Sequence, residues 1–238
     1  MRPVAASLTL AIFVSSLARN GLSCGLTPPV GPLGLPTVCH GDGLGLGMRA
    51  GLTLGGTSTR LDFGPEQATL VQAAGTGTFD LVLADRLSFS GALGASLGGR
   101  LDYRSEQFDL LPGPVLGIGA AYRLFGGRAP FVQASLTLSV ARSTTRAEDE
   151  SRASFTSRDY RLGLAVGKTF GSVAAPFLVA RYFGAGTTWS VGGGHGADHF
   201  RYHIGLGSAF GLSSHFDALV EIAFVGERRA SLGAGYTF

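Results

Sequence analysis

Three histidines and one aspartate form the chain's only histidine cluster: His195, His199 and His203, with Asp198 between them. A four-residue spacing suits metal chelation on a helix. The surrounding sequence reads as loop and strand, where that geometry is lost, so we predict no metal site and interpret the segment as a polar loop. A hydrolase could use Ser190 as nucleophile, His195 or His199 as base and Asp198 as the orienting carboxylate. We predict no enzyme and keep this hydrolase as an alternative.

Two cysteines, Cys24 and Cys39, flank a Pro-rich segment. Residues 1–18 have the charged start, apolar core and small terminal residues of a secretory signal, and export exposes thiols to an oxidising compartment. We therefore predict a disulfide between the two cysteines. Lipidated Cys24 with free Cys39, or two free thiols, are the alternatives. His40 adds too few ligands for a closed metal shell.

The composition excludes several classes of protein. Of 238 residues, 45% are apolar and only 15% are charged, which is unlike a disordered chain. The 38 glycines are more than twice the roughly 7% of average usage and argue against long helices. After the N-terminus no run of about 18 apolar residues exists, so helical membrane spans are not expected. The arginines are scattered singly, which predicts no nucleic-acid partner, and no motif predicts a cofactor.

From residue 43 onward the sequence alternates with a period of two, most clearly over residues 87–104, where one face is apolar and the other small and polar. The polar face is Gly, Ser and Ala with isolated charges, which fits a confined lumen better than the water-facing side of a sandwich. We predict an all-β fold: a closed antiparallel transmembrane β-barrel of about ten strands, with eight or twelve as alternatives. Short connections alternate with long ones, which are residues 55–68, 105–112, 144–153 and 184–198. Residues 226–228 connect two strands at the end where the other connections are long, yet this connection is short.

The aromatic residues support membrane insertion. On the apolar face they gather at both strand ends, with aliphatic residues between them, as expected for rings at two water–lipid interfaces. The end with short connections has Phe89, Tyr122, Phe170, Phe210, Phe216, Tyr236 and Phe238. The end with long connections has Tyr103, Tyr160, Tyr182, Phe200, Tyr202 and Phe224.

Charged residues on the polar face should point into the lumen. These are Arg49, Asp80, Arg100, Asp102, Arg123, Arg161, Arg181, Arg201, Asp217, Glu221 and Arg229. An unpaired buried charge is costly, so we predict a salt-bridged network that closes the lumen. The alternative is a narrow water-filled pore in which the excess of arginine favours anions.

The last strand, residues 229–238, places alternate apolar residues outward and ends on Tyr236 and Phe238. It resembles the terminal strand of Gram-negative outer-membrane β-barrels, and the chain is most similar to the small OmpA- or OmpX-like barrels. It departs from them in having more strands and no appended periplasmic domain. The resemblance implies a location in the cell outer membrane and contact with its lipid. It also implies that the assembly machinery recognises Tyr236 and Phe238 during biogenesis, and it implies no particular activity.

Three segments are predicted: a signal peptide (1–18), a Pro-rich periplasmic segment (19–42) and the barrel (43–238). The predicted function is a structural or surface-interaction role through long extracellular loops, with an unspecified extracellular partner. An anion-preferring diffusion pore is the first alternative and an outer-rim hydrolase is the second.

Overall fold

A computed structural model describes residues 23–26, 37–40, 46–83, 87–125, 130–170, 173–191, 194–213 and 215–238. Every regular element in these ranges is a strand. In chain order the strands are β1 (Ser23–Leu26), β2 (Thr37–His40), β3 (Leu46–Phe63), β4 (Glu66–Leu83), β5 (Leu87–Tyr103), β6 (Glu106–Leu110), β7 (Gly113–Phe125), β8 (Pro130–Arg146), β9 (Arg152–Lys168), β10 (Ala174–Trp189), β11 (Gly194–Asp198), β12 (Tyr202–Gly211), β13 (Phe216–Gly226) and β14 (Arg228–Thr237). None of the described residues belongs to a helix able to cross a membrane.

Ten of the strands form a closed antiparallel ring, which confirms the predicted barrel. The ring runs β3, β4, β5, β7, β8, β9, β10, β12, β13, β14 and returns to β3. Ten residue pairs, from Arg228 with Ser58 to Thr237 with Arg49, close it. Closure leaves the sheet without an open edge. A sheet in lipid needs this, because no water is present to hydrogen-bond unpaired backbone groups. The short strands β6 and β11 extend the wall at one end.

The outer face of the ring is apolar. Leu52, Ile118 and Leu232 are 71%, 62% and 60% exposed, far more than large apolar side chains in a folded core. Exposed outward aromatics flank this band at both ends, with Phe89 and Phe238 at one end and Tyr160, Tyr182, Tyr202 and Phe224 at the other. A contiguous apolar band between two aromatic girdles is the pattern of a lipid-facing barrel wall. We call this band the belt.

The predicted long connections are mostly strand, which corrects the sequence-based prediction. β3 and β4 run through residues 55–63 and 66–68 and are joined at Gly64 and Pro65. Arg104 and Ser105, both with positive φ, join β5 to β6. Beyond the belt the alternation continues with its polarity reversed: Leu61 and Phe63 point inward and are buried, whereas Arg60 is exposed. The inward face here forms an apolar core, and this core stabilises strand pairing beyond the membrane-spanning part of the barrel. We call this extended end the outer end.

A β-bulge in β5 changes which residues face the lumen. Gly98 has a φ of 112°, and the pairing with β4 shifts register between Ala73 and Ala74. A one-residue shift moves every following side chain to the opposite face. Leu101 and Tyr103 consequently point inward and are buried, so the prediction that Tyr103 belongs to the outer girdle is wrong.

The N-terminal strands β1 and β2 form a separate antiparallel pair in which Cys24 lies opposite Cys39. The predicted signal peptide, residues 1–18, lies outside the described residues, as do residues 27–36 and 41–45.

Candidate functional site

Among the described residues the lumen contains two groups of ion pairs and two apolar clusters, one at each end. The first group surrounds Arg49 near the inner end of β3. Its guanidinium donates hydrogen bonds to both carboxylate oxygens of Asp217, from Nε at 2.8 Å and Nη2 at 2.5 Å, and from Nη1 to Asp80 at 3.0 Å. All three side chains are buried. Gly235 on the intervening strand β14 makes room for this contact, because an added Cβ would overlap the guanidinium.

The second group begins with Arg161 on β9. Its two terminal nitrogens donate to both oxygens of Glu227, at 2.9 and 3.0 Å, and its Nε donates to Asp159. Glu227 follows β13 in the short connection to β14 and is buried. Bidentate pairing fixes the direction of both groups as well as their separation. The pair therefore joins β9 to a turn across the lumen.

Arg181 on β10 forms the adjacent pair. It donates to both carboxylate oxygens of Glu221, at 2.5 and 2.7 Å, and its Nη1 donates to Nε2 of His203 at 2.8 Å. Arg229 is buried beside them, attracted by the carboxylates of Glu221 and Glu227, and its guanidinium nitrogens have no hydrogen-bond partner among the described residues. Three arginines thus face three carboxylates, which balances the charge of the group.

Two carboxyl groups beyond the belt have shifted pKa values. Burial raises the pKa of Asp198 to about 8, assisted by repulsion from Glu227 and Asp159 and opposed by Arg161 and the backbone N–H of Ala185. Burial also acts to raise the pKa of Glu227, but attraction and hydrogen bonding from Arg161 outweigh it and hold that pKa well below its usual range. Of these two groups, Glu227 therefore stays ionised at neutral pH, whereas burial favours the protonated form of Asp198.

An apolar cluster fills the lumen at the outer end. Trp189 is fully buried, and its Nε1–H donates to Oγ1 of Thr145 at 2.8 Å. Tyr103 and Phe108 pack edge-on against it, with ring centroids 5.4 and 5.0 Å away. The cluster also contains Leu61, Phe63, Ala68, Leu70, Leu101, Leu110 and Phe155. Their side chains fill the interior of the barrel at this end.

Most of the predicted lumen charges lie inside the barrel, and three do not. Buried inside are Arg49, Asp80, Arg161, Arg181, Asp217, Glu221 and Arg229, while Arg123 is half-buried. Arg100 and Asp102 are on the outer surface, paired at 3.1 Å, because the bulge at Gly98 reverses the faces of β5. Arg201 is also exposed, because it lies in the break between β11 and β12, where the alternation does not apply.

Sequence reasoning did not include Asp159 and Glu227 in the network. Asp159 is two residues from Arg161, and Glu227 is two residues from Arg229. In a strand, residues two apart face the same side, so the alternation, where it applies, predicts that both carboxylates point inward. The sequence does not indicate that it applies to Glu227, because this segment has the position of an outer loop. His203 belongs to the histidine cluster in sequence, but in the fold it is buried beside Arg181.

The residues considered for a hydrolase are not brought together. Ser190 and His195 are exposed, whereas Asp198 is buried in the lumen. His199 lies 3.1 Å from a carboxylate oxygen of Asp62 on the outer surface. Across the described ranges no group of three or more His, Cys, Asp or Glu side chains could hold a metal ion.

The two residues of the predicted assembly signal lie together at the inner end. Tyr236 and Phe238 are both exposed on the outer face, with ring centroids 5.1 Å apart.

Solved outer-membrane barrels are similar to this chain. The transport unit of the autotransporter AIDA-I from Escherichia coli has a TM-score of 0.51 and 12% identity over 81% of this chain and 90% of that one. The translocator domain of the autotransporter NalP from Neisseria meningitidis has a TM-score of 0.49 and 12% identity over 83% of this chain and 90% of that one. The outer membrane protease OmpT from Escherichia coli has a TM-score of 0.48 and 12% identity over 83% of this chain and 99% of that one. Neither a protein-family model nor a curated protein sequence matches the chain. At this identity the likeness concerns the fold alone: the chain folds as a β-barrel of the outer-membrane type.

Proposed function

We propose that this protein is an exported, integral outer-membrane barrel with a closed lumen, which acts through its structure and its outer surface and not as a pore. The observation that carries the proposal is the filling of the lumen at successive levels. The group around Arg49 lies near the inner end, the group around Arg161 and Arg181 lies further out, and the apolar cluster around Trp189 lies at the outer end.

The arrangement of charge argues against the anion-preferring pore. An anion path needs cationic groups that are free to hold ions weakly and release them. Arg49, Arg161 and Arg181 are each held by carboxylates at hydrogen-bond distance. A ten-stranded barrel is only modestly wider than an eight-stranded one, which side chains fill. An ion would also have to cross the apolar cluster, where nothing replaces its hydration shell.

The outer surface fits a role in contact with other molecules better than a catalytic one. Strand extensions replace most of the predicted loops, so the surface above the belt is a wall of hydrogen-bonded strands. Ion pairs on its exterior fix neighbouring hairpins, including Arg104 with Glu66 at 3.4 Å and Arg146 with Asp109 at 3.1 Å. The proposal assigns no catalytic role, because Ser190, His195 and Asp198 do not converge.

Single-channel recording in a planar bilayer tests the proposal. Heat-modifiable electrophoresis of the same sample establishes that the barrel has folded, and a general porin in the same bilayer is the positive control. We expect the folded protein to give no steady conductance steps. Anion-preferring steps whose selectivity falls in Arg181→Gln would establish the pore instead. A soluble product that does not enter lipid would overturn the membrane location itself.

A further inference from the structure

A groove of about 990 Å³ lies on the outer face of the barrel, across β7 to β11. We call it the lateral groove. Its apolar wall includes Ile118, Leu138 and Tyr160, all of which point outward and are substantially exposed. Because Tyr160 belongs to the girdle at the outer end, the groove lies where the belt meets the headgroup region.

The floor of the lateral groove is made of glycine. Strand pairing puts Gly184 opposite Tyr160 and Gly186 opposite Arg158. The ring of Tyr160 lies over Gly184, where an added Cβ would come within 2.6 Å of the phenol oxygen. Gly186 is different, because an added Cβ there meets nothing within 4 Å. An open slot therefore runs beside Tyr160 with room for an apolar chain.

Two arginines stand at this slot. Arg158 and Arg201 line the groove and are exposed, and neither has a carboxylate partner among the described residues. Asp159 and Asp198 line it from the lumen side, but Arg161 holds Asp159 and burial keeps Asp198 largely protonated at neutral pH. Some exposed arginines elsewhere do have partners: Arg100 pairs with Asp102, Arg104 with Glu66 and Arg146 with Asp109. Arg60, Arg142 and Arg152 are exposed without a carboxylate partner among the described residues, but they do not line the groove. The groove thus combines an apolar slot with uncompensated positive charge.

We propose that the lateral groove binds a phosphate-bearing acyl lipid of the outer leaflet. An acyl chain would lie in the slot over Gly186, and the phosphate would be bound by Arg158 and Arg201. Guanidinium groups match phosphate oxygens geometrically and form charge-assisted hydrogen bonds with them. A lipid is favoured over a soluble anion because the apolar wall continues into the belt. This inference rests on the proposed membrane location.

The same combination occurs a second time on the barrel, which supports the inference independently. A groove of about 820 Å³ crosses β13, β14 and β3 to β5. Small residues align on its floor, where Ala230 pairs with Gly56 and Gly56 with Ala73. Arg228 lines this groove, is exposed and has no carboxylate partner among the described residues.

Native mass spectrometry of the folded, full-length protein in detergent tests the inference, with bis-phosphorylated lipid A as the probe. Arg158→Gln with Arg201→Gln should weaken retention of the lipid by about tenfold or more, the usual effect of losing hydrogen bonds to a charged group. Gly186→Val should weaken it several-fold by filling the slot. Two controls should retain lipid as the unaltered protein does. Arg152→Gln removes an exposed arginine further along β9, and Gly91→Val adds bulk at another outward glycine with open space around it.

The competing outcomes are distinguishable. Equal retention of lipid A and its dephosphorylated form, or undiminished retention by the arginine double variant, would overturn the inference. Displacement of lipid A by a heparin fragment, with no preference for acylated ligands, would instead indicate a surface for sulfated polysaccharides. The band shift of heat-modifiable electrophoresis is measured on every sample, so failure of the barrel to fold in lipid is seen separately and counts against the proposed function.

Discussion

Arg161 donates hydrogen bonds from both terminal guanidinium nitrogens to the two carboxylate oxygens of Glu227, although 66 residues separate them in the chain. Arg161 lies on β9, and Glu227 lies between β13 and β14, three to four strands further around the ring. A short turn that the sequence presents as an exposed connection is thereby anchored inside the barrel. The contact spans the lumen and contributes to closing it.

Replacing Glu227 by Gln should destabilise the barrel by about 3 kcal/mol, because removing one member of a buried ion pair leaves its partner uncompensated. The loss of unfolding free energy should lie at the lower end of the roughly 3–5 kcal/mol typical of a broken buried ion pair, because Asp159 still contacts Arg161. Urea unfolding of the protein in lipid vesicles measures the effect. Fluorescence of Trp189 reports it, because this is the only tryptophan and it is fully buried.

Glu148→Gln is the matched control for that variant. Glu148 is exposed in the turn between β8 and β9, so the same chemical change should leave the unfolding midpoint unaltered. If Glu227→Gln unfolds at the same urea concentration as the control, the Arg161 contact contributes nothing to stability.

Gly235→Ala should destabilise the barrel by roughly 1–3 kcal/mol through overpacking. The new methyl group would overlap the Arg49 guanidinium, which cannot move aside without breaking its bonds to Asp80 and Asp217. The temperature at which the heat-modifiable band shifts should fall. Gly91→Ala, at an outward position with nothing within 4 Å of an added Cβ, should leave it unchanged, and equal behaviour of the two variants would contradict the crowding argument.

Asp198 should make the barrel less stable as pH rises. Its pKa is raised to about 8 in the folded state, from an ordinary value of 3.8. Between these two values the folded state keeps a proton that the unfolded state has lost, so the free energy of unfolding decreases with increasing pH. Asp198→Asn removes this dependence and should be the more stable protein at pH 9, by several kcal/mol at most. Urea unfolding of both proteins at pH 5, 7 and 9 measures it, and identical pH profiles would refute the assignment.

Cys24 and Cys39 should be joined in the exported protein. They lie opposite each other in the β1–β2 pair, which agrees with the disulfide predicted from their compartment. Intact-mass measurement with and without reduction before alkylation should show two alkyl groups only after reduction. Alkylation without reduction would indicate free thiols, and a mass increase at Cys24 matching acyl chains would indicate a lipoprotein.

The sequence alone was sufficient to determine the barrel. A period of two in the sequence shows which side of the barrel wall each residue faces. The approximate strand number, the belt and most of both girdles follow from that local pattern, whereas the position of Tyr103 does not. The inward positions of Arg49, Arg161 and Glu221 follow from it as well.

Tertiary structure decided what the local pattern cannot contain. The bulge at Gly98 reverses the faces of Arg100 and Asp102, and only pairing with β4 reveals it. The strands continue past the belt because Phe63 and Trp189, from separate hairpins, meet inside with ring centroids 5.7 Å apart. The partner of Arg161 depends on which residues face each other across the closed ring. Alternation fixes a side chain's direction, whereas closure and register fix what it meets.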